Sequence, residues 1–533
     1  MSQSVSIPEG EVVERPLEPE IPRRHWIALF GGLIGAFMAI LDIQITNSSL
    51  KDIQGALSAT MDESSWISTS YLVAEMIAIP LSGWLSVALG KRRYLTWTTV
   101  VFTVASLLCS FSWNMGSMIV FRAIQGFSGG ALIPLAFSLV VHLLPVNKRA
   151  VGMALFGVTA TFAPSIGPTL GGWLTEHFSW HYIFYINLPP AIALLCMVNY
   201  GLDDEPLKLE SLLKADWLGI ITMAIGLGCL EVVLEEGNRE EWFSSSFIIT
   251  LSIISVISLT YFIINELQHK KPLVNLRLLK QSQFAMSCIA YLILGMALLG
   301  SIYVLPMYMI QIQGYNALEI GEVLMWMGFP QLLIFPLVPK LTQIIKAKYL
   351  VFFGFSMFGI SCFVNTHMSY LFGGDQLIFS MILRAIGSPF IMVPLSLVAM
   401  EGIEKQNVAD ASTITNVLRN LGGAFSIAFI ATLLDNKTRE HLGHIKETLT
   451  SVSTDGWYQL NQSAAMFVAK GSDPATAMQQ AKASLTLTMQ RDAAIMAYND
   501  VFFMMSCFLA FAAVLMFFVK SNGKPDPMAG GAH

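Results

Sequence analysis

About fourteen times along its length the chain runs for some twenty residues with hardly a charge, the length an α-helix needs to cross the hydrocarbon core of a bilayer. The first run is Trp26–Asn47 and the last Tyr498–Val519. The least clear are Asp216–Glu235, which ends in acids, and Ile320–Val338, which contains Pro330 and Pro336. Composition agrees. Only 13% of residues are charged, against about 25% in a soluble domain, so a set of cytosolic domains is excluded. A net charge of -5 leaves no basic face for nucleic acid. The six cysteines all sit in apolar runs with no CxxC pair and read as buried thiols, with no metal site or disulfide. There is no HExxH, nucleophile elbow or phosphate loop, so an enzyme is not expected.

Lys and Arg in short loops orient such a chain. With the N-terminus in the cytoplasm, the inner segments collect Arg23, Arg24, Lys91, Arg92, Arg93, Lys148 and Arg149. They continue through Lys208, Lys214, Lys270, Lys271, Lys340 and Lys405 to Lys520 and Lys524 in the tail. The short outer loops hold only Lys51 and Arg239. Both termini are therefore expected inside. Met1–Pro22 has no basic start or cleavage site and reads as a disordered tail. One outer segment, Asp435–Ala497, is long enough to be functional or a partner contact. Within it Ala475–Gln490 is expected to be an amphipathic helix.

The sequence also repeats. Lys91-Arg-Arg-Tyr-Leu95 matches Lys346-Ala-Lys-Tyr-Leu350. Arg122-Ala-Ile with Pro134-Leu135 matches Arg384-Ala-Ile with Pro394-Leu395. Each pair falls in the same topological slot, so spans 1–6 recur as spans 9–14 in the same orientation. Two parallel six-helix halves are the plan of a secondary transporter. The expected layout is a tail over 1–25, a first half over 26–201, two extra helices with their loops over 202–280, a second half over 281–519 that includes the outer segment 435–497, and a tail over 520–533.

Several motifs carry a resemblance. Leu41-Asp-Ile-Gln-Ile-Thr-Asn47 resembles a span-1 motif of the major facilitator superfamily. Gly83 to Arg93, with Gly90, Lys91, Arg92 and Arg93, resembles its loop 2–3 signature, except that Val87 stands where Asp is usual. Arg122-Ala-Ile-Gln-Gly126 resembles its span-4 motif. Ala163-Pro-Ser-Ile-Gly-Pro-Thr-Leu-Gly-Gly172 resembles the span-5 antiporter motif. Trp180–Pro190, with His181 where Arg is usual, and Asn416–Gly423, with Arg419, resemble its turn into span 6 and its span 13. The chain is thus similar to the fourteen-span drug:proton antiporters of the EmrB type. The resemblance implies an all-α membrane fold of about fourteen helices arranged 6 + 2 + 6, in a bacterial inner membrane. It implies proton-coupled efflux of lipophilic drugs with no cofactor beyond the proton gradient. It also implies a periplasmic adaptor and an outer-membrane channel as partners. A dedicated exporter of one siderophore, fatty acid or lipid, and an uncoupled facilitator, are the alternatives.

Physical chemistry narrows the residues. A carboxylate in mid-span costs about 3 kcal/mol on insertion scales, and a proton removes most of that cost. Asp42 in span 1 and Glu75 in span 2 are therefore candidates for proton coupling. The alternatives are a helix-capping role for Asp42, and cation binding or an interhelical hydrogen bond for Glu75. Arg122 must face a carboxylate or a cavity, with Asp42 and Glu75 as candidate partners. Arg384, its counterpart in the second half, and Arg419, near Asn416, could meet an anionic substrate or a helix C-terminus. Glu231 and Glu322, near helix ends, are expected to reach water. Gly157, Pro164, Gly167, Pro168, Gly171 and Gly172 let span 5 pack tightly and bend. Most Met and aromatic residues are expected to face lipid or other helices, a minority to line a greasy pocket.

Overall fold

The computed structural model describes residues 21–145, 148–208, 216–269, 272–404, 407–451 and 453–519, and every regular element among them is helical. Both tails beyond these bounds, with Lys214, Lys270, Lys271, Lys405, Lys520 and Lys524, lie outside the described residues. The first helices are α1 (Arg23–Ser48), a short α2 (Leu50–Ala56), α3 (Met61–Leu89), α4 (Lys91–Ser110), α5 (Met115–Leu143), α6 (Arg149–His177), a single turn α7 (Tyr182–Tyr185) and α8 (Leu188–Gly201). Then follow α9 (Trp217–Glu236), α10 (Ser246–Gln268), α11 (Ser282–Tyr308), α12 (Ala317–Ile334), α13 (Val338–Ile344), α14 (Ala347–Val364) and α15 (Gly374–Met400). Last are α16 (Val408–Ser451), α17 (Ser453–Ala469) and α18 (Pro474–Phe518).

Among the described residues, twelve helical stretches are long and apolar enough to span a bilayer, and α12 with α13 makes a thirteenth, bent by 51°. The bend follows Pro336, which has no N–H to give and restricts the residue before it. The remaining expected span is α4. It has the length, 20 residues, but starts with three basic residues and carries four threonines, so it falls short in apolarity. Sharp starts come from capping boxes: Thr60 with Glu63, Asn114 with Ser117, Asn316 with Glu319. All three lie on the face opposite the start of α1, here the far face; the start of α1 marks the amino face.

The packing recurs along the chain. α1 packs on α5, α6 and α8, as α11 packs on α15, α16 and α18. α4 lies on α5 as α14 lies on α15. The two sets meet along α6 against α12 and α3 against α16. α9 and α10 pair with each other, and α9 touches both α3 and α16.

Two findings go beyond or against expectation. Ala475–Gln490 is helical, as expected, but the segment 435–497 does not stop at that one helix. α16 runs unbroken for 44 residues and α18 for 45, each about 66 Å at 1.5 Å per residue, so both project well beyond a core about 30 Å thick. Helix pairs sustain them: Arg439–Asp435 at 2.6 Å and Lys437–Glu440 at 2.8 Å. His441 joins Asp500 across the two helices at 2.9 Å, and α17 packs on α18. The cysteines are not all buried either. Cys196 and Cys507 are exposed on the outside of the bundle, where an apolar helix face meets lipid.

Candidate functional site

Asp42 lies on α1 and Arg122 on α5, each only 1% exposed. Arg122 donates to Asp42 Oδ2 at 2.5 Å and to Gln125 Oε1 at 2.8 Å. Its Nε donates to the Ile67 carbonyl at 3.2 Å, and its guanidinium lies 4.4 Å from the Tyr71 ring centre. Asp42 Oδ1 accepts from Gln125 at 2.9 Å and from Asn187 at 2.6 Å. Asn187 also donates to Ser106. Four elements thus hold one ion pair out of water. Of the two acids weighed as partners for Arg122, the structure pairs it with Asp42. Gln125 and Asn187 belong to the motifs read in the sequence, but nothing there marked them as Asp42's ligands.

Glu75 faces elsewhere. It sits one turn beyond Tyr71 on α3, whose backbone lies close against Gly126 and Gly130 of α5. A Cβ on Gly130 would come within 2.7 Å of the Glu75 carbonyl oxygen. That close approach turns Glu75 toward a central cavity of about 160 Å³, room for on the order of ten waters. The cavity is walled by α1, α3 and α6 on one side, by α11, α12 and α16 on the other, and by α9. Gln44 and Asn47 of α1 line it, as do Pro164 of α6 and Arg419 of α16. Asp42 and Arg122 do not.

Glu231 corrects the sequence reading. It does not reach the outer surface but is 3% exposed and lines the cavity, together with Glu235. The buried stripe of α9 runs through Ile220, Met223 and Leu227 to Glu231, a spacing of one face at 3.6 residues per turn. Its place on that stripe was readable; its nearness to the end of the run outweighed it. Glu322 is exposed, as expected. Glu235 and Gln331, which also line the cavity, were not picked out in the sequence.

The small residues of α6 fall on two seams. Side chains at Gly167 and Gly171 would overlap Gln44, Ile45 and Ser48 of α1. A side chain at Gly157 would overlap Phe335 at the end of α12. Pro164 and Pro168 lie inside the helix, and Gly172 is half-buried. On the amino face, the loop motif is held by acids that follow α8. Lys91 reaches Glu205 at 3.3 Å, Arg92 and Arg93 reach Asp204 at 3.7 and 3.8 Å, and Arg24 pairs with Asp203 at 2.9 Å. Gly90 has φ 83 and a Cβ there would meet Glu205 at 3.1 Å, so the turn requires glycine. Gly83 faces Thr413 of α16. Val87 is exposed; the acids beside the three basic residues of the motif are Asp204 and Glu205.

In the second half, Asn416 caps back onto Ser412 at 2.9 Å and, with Arg419, lines a smaller cavity beside Tyr291. Arg384 is fully buried away from the central cavity. Its Nε donates to Ser361 at 3.4 Å, and it lies over the Phe358 ring. It has no carboxylate beside it among the described residues.

Known proteins resemble this chain over most of its length. The model of the Major Facilitator Superfamily matches residues 32–427. The colistin resistance protein EmrB of Acinetobacter baumannii is 35% identical over 508 residues, covering 95% of this chain and 99% of its own. The multidrug export protein EmrB of Escherichia coli is 28% identical over 502 residues, covering 94% and 96%. The fatty acid resistance protein FarB of Neisseria gonorrhoeae is 29% identical over 508 residues, covering 95% and 98%. Among solved structures, the proton:xylose symporter XylE has the same fold, with a TM-score of 0.58 at 12% identity over 93% of this chain and 96% of that one.

Proposed function

This chain belongs to the major facilitator superfamily, and from that membership we propose that it exports lipophilic small molecules in exchange for protons, by alternating access across a bacterial inner membrane with both termini in the cytoplasm. It is a multi-pass membrane transport protein and not an enzyme. The observation that carries the proposal is the central cavity, built where the two six-helix sets meet, with a carboxylate, Glu75, and apolar walls. Proton entry to Glu75 neutralises a cavity wall and releases substrate. Proton transfer to Asp42 releases Arg122 from its counter-ion, and with it the contacts among α1, α3, α5 and Asn187. A membrane potential adds about 2.3 kcal/mol per charge per 100 mV. No other energy source or cofactor is invoked.

Proteoliposomes with an imposed pH gradient test this. The wild type should move a lipophilic dye against its gradient and collapse the pH difference in proportion; Glu75→Gln should bind dye without collapsing it. Dye movement that ignores the gradient would make the protein an uncoupled facilitator.

A second reading has a specific support. FarB is a fatty acid resistance protein, and Arg419 lines the cavity without an ion pair among the described residues. A dedicated exporter of an endogenous carboxylate would use Arg419. A resistance profile of a deletion strain beside its secreted metabolites separates the two. The helical projection of α16, α17 and α18 is the proposed seat of a periplasmic adaptor leading to an outer-membrane channel. Tyr458, Met466 and Leu487 are exposed on it. Removing its tip should abolish adaptor co-purification and leave transport in vesicles intact.

A further inference from the structure

α9 stands outside both repeats, yet it gives the cavity two of its acids, Glu231 and Glu235. They lie one helical turn apart and so share a face. The next acid, Glu236, is satisfied: it accepts from Ser65 at 2.9 Å and Thr69 at 2.7 Å and pairs with Arg239 at 3.1 Å. Glu231 Oε2 and Glu235 Oε1 are buried with no hydrogen-bond partner among the described residues. The same holds for Glu75 Oε2 on α3 and for the side-chain oxygen of Gln331 on α12, a residue 1% exposed. Four unpartnered acceptors from three helices therefore face one cavity, and Arg419 is the basic residue among its lining. Unmet buried acceptors are costly, and donors carrying positive charge meet them best.

α9 is also fixed in place. Ser255 of α10 donates to the Gly226 carbonyl at 2.9 Å, and Trp242, in the turn after α9, donates to Thr432 of α16 at 2.9 Å. The acids cannot swing out to lipid without breaking these ties.

We infer that α9 makes the cavity a receptor for protonated amines. The ammonium head, with up to three N–H donors, seats among Glu231, Glu235 and Gln331, and the apolar body lies on Ile40, Leu298, Leu299 and Ile302. The inference rests on the exporter reading and names the substrate class of that site. It sets hydrogen-bonding ammonium groups apart from cations that have no N–H.

Three probes test it on purified full-length protein: a dansyl group on a five-carbon chain ending in a primary ammonium, its trimethylammonium form, and its neutral N-acetyl form. Fluorescence titration of the wild type should give at least tenfold tighter binding of the ammonium than of the acetyl probe, with the trimethyl probe between. Glu231→Gln with Glu235→Gln should weaken ammonium binding tenfold or more and bring the three probes within about threefold. Gln331→Leu, which removes no charge, should lower the ammonium preference over trimethylammonium alone. Equal binding of ammonium and trimethylammonium by the wild type, or an unchanged order in the double variant, would overturn the inference. Transport of the probes by wild-type proteoliposomes under a pH gradient keeps the two readings apart. If none moves, the exporter reading fails; if they move without preference, only the amine receptor does.

Discussion

Asp42 and Arg122 are a buried pair whose charges balance, so neither can be removed cheaply alone. Asp42→Asn leaves a guanidinium with no counter-ion, and the expected loss is about 3–5 kcal/mol. Asp42→Asn with Arg122→Gln removes both charges and should recover most of that stability, because neutral replacement of a buried pair is often tolerated. Both variants should fail to couple dye to protons. A thermal melt beside the vesicle assay checks this, and a double variant that coupled normally would remove Asp42 from the mechanism. Glu75→Gln should change stability by only about 1 kcal/mol or less, since its Oε2 has no partner to lose among the described residues. Asp42, Glu75 and Arg122 were legible because a charge inside an apolar run is expensive wherever the chain folds. Glu231 was misjudged and Glu235 missed because an acid near the end of a run has two cheap solutions, water or a cavity. Tertiary packing of α9 on α3 and α16 decides between them; the local stripe that ends at Glu231 gives only its face.

At the scale of elements, α6 packs on helices of both halves. Its Gly171 lies against Ile45 and Ser48 of α1, and its Gly157 against Phe335 of α12. Gly171→Leu must push α1 away, and overpacking of that kind costs about 1–3 kcal/mol. Its vesicles should leak protons faster than wild type, read by the decay of an imposed pH gradient. Gly157→Val should fail in the same way and be rescued in part by Phe335→Ala, which vacates the clashing ring. An absence of rescue would mean that the contact does not set the seam. The repeated packing of α1 and α11 was readable from two short matches, since parallel repeats keep the same residues in the same slots. Beyond 434, the helix at Ala475–Gln490 and the span Tyr498–Val519 were readable, but the continuation of α16, the presence of α17 and the fusion of those two stretches into α18 were not. Their polar residues ended the membrane signal, and continuation of a helix through such a boundary rests on local pairs such as Arg439 with Asp435.

For the whole molecule, the amino face carries partly exposed ion pairs of the loop motif with Asp204 and Glu205, and of Arg24 with Asp203. Each such pair is worth about 0.2–1 kcal/mol and is screened by salt. Asp204→Asn with Glu205→Gln should therefore shift the equilibrium toward opening on that face by a few-fold. A cysteine at Thr413, which lies against Gly83, should label faster in that background, and with the pairs intact it should label faster in high salt than in low. Labelling that responds to neither would show the pairs to be idle.

α16 passes the cavity at Arg419 and continues without a break to Ser451. That leaves an arm of about 48 Å at 1.5 Å per residue. A tilt of about 10°, small for a domain motion, would carry its tip through roughly 8 Å on that arm. The helix is then a lever as well as a wall: under the proposed transport cycle, a small tilt at the cavity becomes a displacement of several ångströms at the tip.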